Sequence, residues 1–316
     1  MSERPVLELR NRIRSGLRAV FDARGFVEVD TPVLSMEVLP EAHIDPIVVH
    51  VDGPDAPPLY LQASPEALMK RLLAGGAGPI YQFARSFRAG ERGRQHDIEF
   101  VLLEWYAPGA TLDDAALLLD DCCRAALGTR GIARVSCTDA FGELAGVDPL
   151  VATVAELAAA GRRAGLEPPP GAVGAPAEQA WDRWFELLLA EVVGPKLGRE
   201  RPTMLEAWPV SQAAFARLDP TDGRSARRFE LFVAGVELAN GWEEETSRGV
   251  LEARIAAANA ARMADGRSEL PVPRRLLDAH GPGMPEGVGA ALGFDRLVML
   301  AAGADSIHAV RGVAGS

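Results

Sequence analysis

Residues 83–106 read FARSFRAGERGRQHDIEFVLLEWY. Apolar, aromatic-rich runs stand on either side of a core of arginine, glycine and acid, and each run has the composition of a β-strand. About nine residues separate them, too many for a two-residue hairpin turn. The chain is thus committed to two strands joined by a wide, charged loop. A surface hairpin reads this way, and so does a loop that holds a nucleotide triphosphate.

The rest of the chain supplies the setting for that pair. Val6, Leu9, Ile13, Leu17, Val20 and Phe21 recur in steps of three and four, which marks one face of a helix, with Gly25 as its stop. FVEVDTPVL then alternates like a strand until Pro32 breaks it or confines it to an edge. Within PPLYLQASPEALMKRLLAGG a short strand gives way to a helix, with Ser64 as N-cap, Pro65 at the first helical position and Gly75-Gly76 at the end. Residues 111–127 and 249–264 have helical patterns. Residues 161–180, rich in Gly, Pro and Ala, read as a flexible connection into a helix that carries Trp181, Trp184, Phe185, Leu188, Leu189 and Val192 on one face. RFELFVAGVELANGWEEET gives two strands around Ala234-Gly235, and GVGAALGFDRLVMLAAG a small-residue strand leading into an apolar helix. Strands before and after a helical insertion at about 151–200, without regular βα alternation, predict an α+β class. One domain over 1–316 would rest on a mostly antiparallel sheet flanked by helices.

Composition excludes several classes. With 48% hydrophobic residues in 316, the chain can build a real core. No run approaches the about 18 apolar residues of a membrane span, and the N-terminal residues lack the apolar stretch of a secretory signal. Cys122 and Cys123 are adjacent and Cys137 stands alone, so neither a disulfide framework nor a C-x-x-C zinc pair is visible. The five histidines are scattered without ligand spacing. A reducing cytoplasm is the simplest compartment. A formal net charge of -11 argues against non-specific nucleic-acid binding.

Three constellations could carry chemistry. In SFRAGERGRQHDIEF, Arg85, Arg88, Arg92 and Arg94 crowd a hairpin tip with Glu91, Asp97 and Glu99. Arginine forks pair bidentately with phosphate oxygens, although a charged loop taken alone is more often a solvated tip. In GVELANGWEEE, period two puts Val236 and Leu238 toward the core and Glu237 and Ala239 on the other face. Glu237 near Asn240 and Glu244 suits Mg²⁺, which prefers oxygen ligands and bridges phosphates; a solvated acidic strand end has the same look. In GVGAALGFDRLVML, Gly287, Gly289 and Gly293 permit close approach of a backbone or flat ligand, and Arg296 could reach an anion. Glycine-rich packing alone would read no differently.

Together, and in this order, the three resemble class II aminoacyl-tRNA synthetases. GFVEVDTPVL is similar to motif 1, FRAGERGRQHDIEF resembles motif 2, and GAALGFDRLVML resembles motif 3 with its G-x-D-R signature. SPEALMKRLL, EFVLLEWY and VELANGWEE narrow the resemblance to the lysyl-tRNA synthetase branch, over roughly Leu7 to Leu300. The first helix begins within the first ten residues, so the anticodon-reading OB-fold of lysyl-tRNA synthetases is not expected. A catalytic core of this length resembles the elongation factor P–(R)-β-lysine ligase family, free-standing paralogues of lysyl-tRNA synthetase.

That resemblance implies an ATP-dependent ligase that activates (R)-β-lysine or lysine as an acyl-adenylate and transfers it to a lysine side chain of elongation factor P. ATP would be a substrate and Mg²⁺ its metal. Matched residue by residue, the catalytic groups would be Arg88 on the α-phosphate and substrate carboxylate, Arg296 on the γ-phosphate, and Glu237 on Mg²⁺ with Glu244 beside it. Gly90, Glu91, Asp97, Leu238 and Gly293 would complete the ATP site, Gly293 giving adenine or ribose room against the backbone. Ser64, Glu66, Tyr106 and Glu244 would take the diamino acid, whose two ammonium groups each need a carboxylate partner once desolvated. The same resemblance implies a cytoplasmic homodimer without membrane contact or anticodon recognition.

Three positions depart from the family pattern. Gly90 stands where motif 2 usually has an adenine-contacting glutamate, and Glu91 follows it; Asp97 replaces an asparagine and Ile98 a proline. Aspartate keeps the acceptor oxygen and loses the amide donor. Either Glu91 turns inward on the flexible Gly90, or nucleotide affinity or selectivity is altered. Two other readings follow: a synthetase-like core that aminoacylates another protein, a carrier or a small molecule, and a non-catalytic paralogue that binds an amino acid. The presence of Arg88, Glu237, Glu244 and Arg296 disfavours the last.

Overall fold

Arg4–Asp22 forms the first helix (α1), with Ile13, Leu17 and Phe21 of the expected apolar face buried. The architecture is that of a computed structural model, which describes residues 4–51, 53, 56–281 and 283–311. The chain continues through β1 (Val27–Glu28), β2 (Leu34–Ser35), β3 (Ile47–Val49), β4 (Leu59–Leu61), α2 (Glu66–Ala74), β5 (Ile80–Phe87) and β6 (Glu99–Pro108). Next come α3 (Leu112–Leu127), β7 (Ala133–Ser136), α4 (Cys137–Ala145), α5 (Val154–Arg163), α6 (Ala177–Leu188), β8 (Thr203–Pro209), β9 (Ser225–Val233) and β10 (Val236–Glu243). α7 (Arg248–Ala264), α8 (Arg274–Ala279), β11 (Gly287–Gly293) and α9 (Phe294–Ala301) follow. The α+β class, with mostly antiparallel strands flanked by helices, is the one that forms.

Local differences from expectation have local causes. The strand read from FVEVDTPVL shrinks to β1 and β2 on either side of Pro32, which has no N–H to give a ladder. α2 begins at Glu66, one residue later than expected, with Pro65 at its boundary. The Ser64 hydroxyl still accepts from the Glu66 N–H at 2.9 Å. Among the described residues no helix is long and apolar enough to cross a membrane.

The chain divides into two compact units. One comprises the described residues up to Thr111, Ala125–Leu127, and those from Glu244 onward; the other comprises Leu112–Arg124 and Gly128–Glu243. In the first unit β1 pairs parallel with β5, β5 antiparallel with β6, and β6 antiparallel with β11. β2, β4 and β3 make a small antiparallel sheet of their own. Alternation along β6 turns Val101, Leu103 and Trp105 toward α1 and α9. Trp105 lies 5.6 Å from Phe21 of α1 between ring centroids. Phe83, opposite Leu103, meets Phe294 of α9 edge-on at 5.4 Å. The other face of β6 is left for the site.

In the second unit β7 pairs parallel with β8, β8 antiparallel with β9, and β9 antiparallel with β10. The helices of the expected insertion are α5 and α6, joined by turns over 164–176. They bury an aromatic core in which Phe141 stacks on Phe185 at 4.9 Å and Phe185 meets Trp208 edge-on at 5.8 Å. Trp184 packs so tightly on Gly161 that a Cβ at 161 would overlap its ring.

Candidate active site

The open face of β6 carries Phe100, Leu102, Glu104 and Tyr106. Its neighbours across the ladders are Ser86, Ala84, Gln82 and Ile80 on β5, and Gly293, Ala291 and Gly289 on β11. The small residues of β11 keep this face clear. A Cβ on Gly289 would overlap both the Glu244 carboxylate and the Tyr106 ring, so glycine is what lets those two groups meet.

A buried acidic cluster forms there. Ser64 donates its hydroxyl hydrogen to Glu104 Oε2 at 2.9 Å, and Tyr106 donates to Glu104 Oε1 at 2.7 Å. Lys70 Nζ lies 2.6 Å from Glu66 Oε1 and 2.7 Å from Glu244 Oε2, and 5.9 Å from the centroid of the Tyr106 ring. Glu104 and Lys70 are each 2% exposed. Burial, and then the nearby Glu66, push the Glu104 carboxyl up to about 8, against the hydrogen bonds from Tyr106 and Ser64 and the charge of Lys70. Burial works to lower the Lys70 ammonium, but Glu244 and Glu66 outweigh it and hold it above its ordinary range. Tyr106 is held well above the usual phenol value by burial and by Glu104, Glu66 and Glu244. His280, buried beside Lys70, is pushed down to about 4, first by burial and then by that ammonium. A water-excluded set of three carboxylates around one ammonium is a site for organic cations.

The residues predicted for the diamino acid, Ser64, Glu66, Tyr106 and Glu244, are therefore brought together. Sequence reasoning missed Glu104, Lys70 and His96. Glu104 shares the face of Tyr106 two positions away, a signal present in EFVLLEWY. Lys70 stands one helical turn after Glu66, the spacing at which helical side chains meet. His96 carried no sequence signal.

The charged loop after β5 closes on its own arginines. The Arg88 guanidinium carbon lies 4.9 Å from the centroid of the Phe100 ring, on the same sheet face as Glu104 and Tyr106. Its Nη1 is 3.5 Å from the Glu91 carboxylate. Its Nε is buried without a hydrogen-bond partner among the described residues. Gly90 adopts φ 78°, which turns Glu91 back toward Arg88. Arg85 lies on the opposite face and pairs with Glu99. Asp97 accepts from the Ile98 N–H at 2.8 Å, pairs with Arg311, and has His308 at 3.8 Å. Arg296, in the first turn of α9 beside Gly293, donates to the Gln95 carbonyl at 3.2 Å and meets His96 Nε2 at 2.7 Å.

Glu237 and Leu238 belong to the second unit. The expected face-sharing of Glu237 with Ala239 does not occur, because a bulge shifts the register of β10 against β9 between Glu237 and Ala239. Glu237 pairs with Phe232 and Asn240 with Glu230, so Glu237, Asn240 and Glu230 share a face, and Leu238 is buried. Asn240 Oδ1 accepts from Arg228 Nε at 3.2 Å. These carboxylate and amide oxygens suit Mg²⁺ by type. Among the described residues no group of three or more His, Cys, Asp or Glu is placed to hold a metal ion unaided. The Glu244 carboxylate is engaged with Lys70.

Over residues 2–312 the chain matches the family described as tRNA synthetases class II (D, K and N). It is 40% identical to the elongation factor P–(R)-β-lysine ligase of Erwinia tasmaniensis over 304 residues, covering 95% of this chain and 92% of that protein. The enzyme of the same name from Edwardsiella ictaluri is 40% identical over 311 residues, with 97% and 94% coverage. That from Salmonella paratyphi B is 38% identical over 306 residues, with 96% and 93% coverage. The first helix with its strand, the arginine loop, the acidic strand and the glycine strand leading into α9 are thus parts of one family pattern, and the chain belongs to the class II tRNA synthetases of the D, K and N group.

Proposed function

We propose that this protein is an ATP-dependent, AMP-forming ligase that activates lysine or (R)-β-lysine and transfers it to a lysine side chain of elongation factor P. The observation that carries the reading is the buried cluster of Glu66, Glu104 and Glu244 around Lys70. Such a site has little use for a neutral or anionic side chain and accommodates two ammonium groups. The acceptor is taken from the names of the relatives.

In the first step the substrate carboxylate attacks the α-phosphorus of ATP and pyrophosphate leaves. Positioning and charge stabilisation do this work. Arg88, with a buried Nε donor and on the face of the amine cluster, would hold the carboxylate and α-phosphate. Arg296 would exchange the Gln95 carbonyl and His96 for γ-phosphate oxygens. Glu237, with Asn240 on its face, would hold Mg²⁺, which when bound neutralises phosphate charge. Glu244 is assigned to the amine, since its carboxylate already faces an ammonium. In the second step the neutral amine of a protein lysine attacks the acyl carbon and AMP leaves, so transfer speeds up as pH rises.

A cytoplasmic location and a homodimer formed through α1 belong to the same proposal; light scattering on the purified protein tests the second. The free cysteines Cys122, Cys123 and Cys137 are all buried, in keeping with a reducing compartment. One incubation tests the activity: protein, ATP, Mg²⁺, each lysine isomer and purified elongation factor P, read by intact mass. A gain of one lysyl unit on the factor is expected. Pyrophosphate exchange without that gain would move the acceptor elsewhere, and absence of exchange would leave a binding protein without catalysis.

A further inference from the structure

We propose that Lys70 is a built-in counter-cation that fixes the charge and spacing of Glu66 and Glu244, so that two further ammonium groups complete the pocket. This rests on the diamino-acid reading above and gives a role to a residue to which that reading assigns none. Lys70 follows Glu66 by one turn of α2, but unlike a surface pair of this spacing it is buried. Glu244 arrives from another element, the segment after β10, whose N–H is held by the Gly287 carbonyl at 2.9 Å. One ammonium therefore ties α2 to the acid that sits over Gly289. Burying an ammonium costs several kcal/mol unless it is well paired. A methionine would fill similar volume without that cost, so charge is what lysine supplies at this position.

The charges in the pocket follow from its members. Glu66, Glu104 and Glu244 carry three negative charges when ionised, and Lys70 one positive. Ser64 is a hydroxyl, and Tyr106 and His280, which also face the cluster, stay neutral near pH 7. Once a bound ammonium has drawn Glu104 into its ionised form, two negative charges remain, matching the two ammonium groups of a diamino acid whose carboxylate goes to Arg88. Without Lys70, the Glu66 and Glu244 carboxylates would repel one another across the gap it fills, and the pocket would no longer match a dication. Lys70 is thus a positioning residue: it acts on substrate through the carboxylates it holds.

ATP–pyrophosphate exchange driven by L-lysine or (R)-β-lysine reads the effect. Exchange by the wild-type protein with neither isomer would overturn the underlying reading and this inference together; the variants below address the inference alone. Lys70→Met is expected to raise KM for the diamino acid by about 100-fold or more while KM for ATP changes by less than about threefold, the size expected from breaking a buried charge pair. Lys70→Ala is expected to regain exchange with propylammonium in the buffer and not with propanol. Wild-type KM in Lys70→Met, or rescue by propanol equal to that by propylammonium, overturns the inference. Should Lys70→Ala be unfolded at the assay temperature by its melting curve, Lys70→Arg against Lys70→Met decides: restored KM with arginine supports a role for charge, and equal losses in both overturn it.

Discussion

Tyr106 donates its phenolic hydrogen to Glu104 across 2.7 Å, from a position two residues further along the same strand. Period two along β6 places both groups on one face, and Ser64 supplies the second donor. The result is a carboxyl held at about 8 by burial and by Glu66. Near pH 7 the empty pocket therefore keeps this acid largely protonated, while a bound ammonium favours the carboxylate. Binding of a diamino acid should release a proton below pH 8. The apparent affinity should rise by up to about tenfold per pH unit between about pH 6 and 8, then level off. Calorimetry in two buffers of different ionisation enthalpy measures the release, and identical heats at pH 7 would contradict it.

For stability the sign is reversed. A raised carboxyl pKa means the folded chain holds this proton more tightly than the unfolded one. The contribution is full below the ordinary value of 4.5 and is lost as pH rises through about 8. Glu104→Gln keeps the shape of the neutral acid, so it should flatten the fall in melting temperature between about pH 4.5 and 8 while abolishing diamino-acid binding. Melting curves across that range check it.

Gly289→Ala forces a methyl group into the Glu244 carboxylate and the Tyr106 ring. Overpacking of this kind costs about 1–3 kcal/mol. KM for the diamino acid should increase while KM for ATP stays within about threefold of wild type, as the two groups displaced belong to the amine cluster. Pyrophosphate exchange with each substrate varied in turn separates the two constants.

Arg296 sends one nitrogen to the Gln95 carbonyl and another to His96. A lysine has a single head group and no planar fork, so Arg296→Lys should not restore function. The same holds for Arg88→Lys. Each should lower kcat by about 10²–10³-fold, the usual cost of removing one well-placed donor from a developing negative charge. Single-turnover formation of the adenylate measures this directly.

Gly161→Ala provides a contrast in the second unit. Its methyl group would overlap the Trp184 ring in a core built from Phe141, Phe185 and Trp208. A loss of about 1–3 kcal/mol is expected, visible as a lower denaturant midpoint, with KM for the diamino acid unchanged.

Periodicity made the main elements legible: the apolar steps of α1, the alternation of β5 and β6, and the helical insertion around Trp184. Each of these depends on residues a few positions apart. What stayed hidden depends on partners distant in sequence. Lys70 in MKRLL has the look of a solvent-facing basic residue until Glu244, from another element, closes on it. Glu104 is surrounded by apolar letters and reads as an interruption of a strand; Tyr106 shares its face two positions on, but the second hydroxyl, from Ser64, lies 40 residues away in the chain. The face shared by Glu237 and Asn240 depends on a bulge, which is a property of β9 and β10 paired and not of either alone. The family resemblance named Ser64, Glu66, Tyr106 and Glu244 together, and the fold gathers them in one cluster, because a motif preserves spacing whose three-dimensional meaning local periodicity cannot express.

Asp97 is fastened by Arg311, and the neighbouring His308 reaches the Gly93 carbonyl at 3.2 Å. The tip of the arginine loop is thus moored to residues close to the end of the chain. A protein shortened after Val310 would retain every strand and α-helix described above and yet leave the Asp97 carboxylate without its guanidinium. Arg311 and His308, which follow α9, are in this sense the tether of the arginine loop.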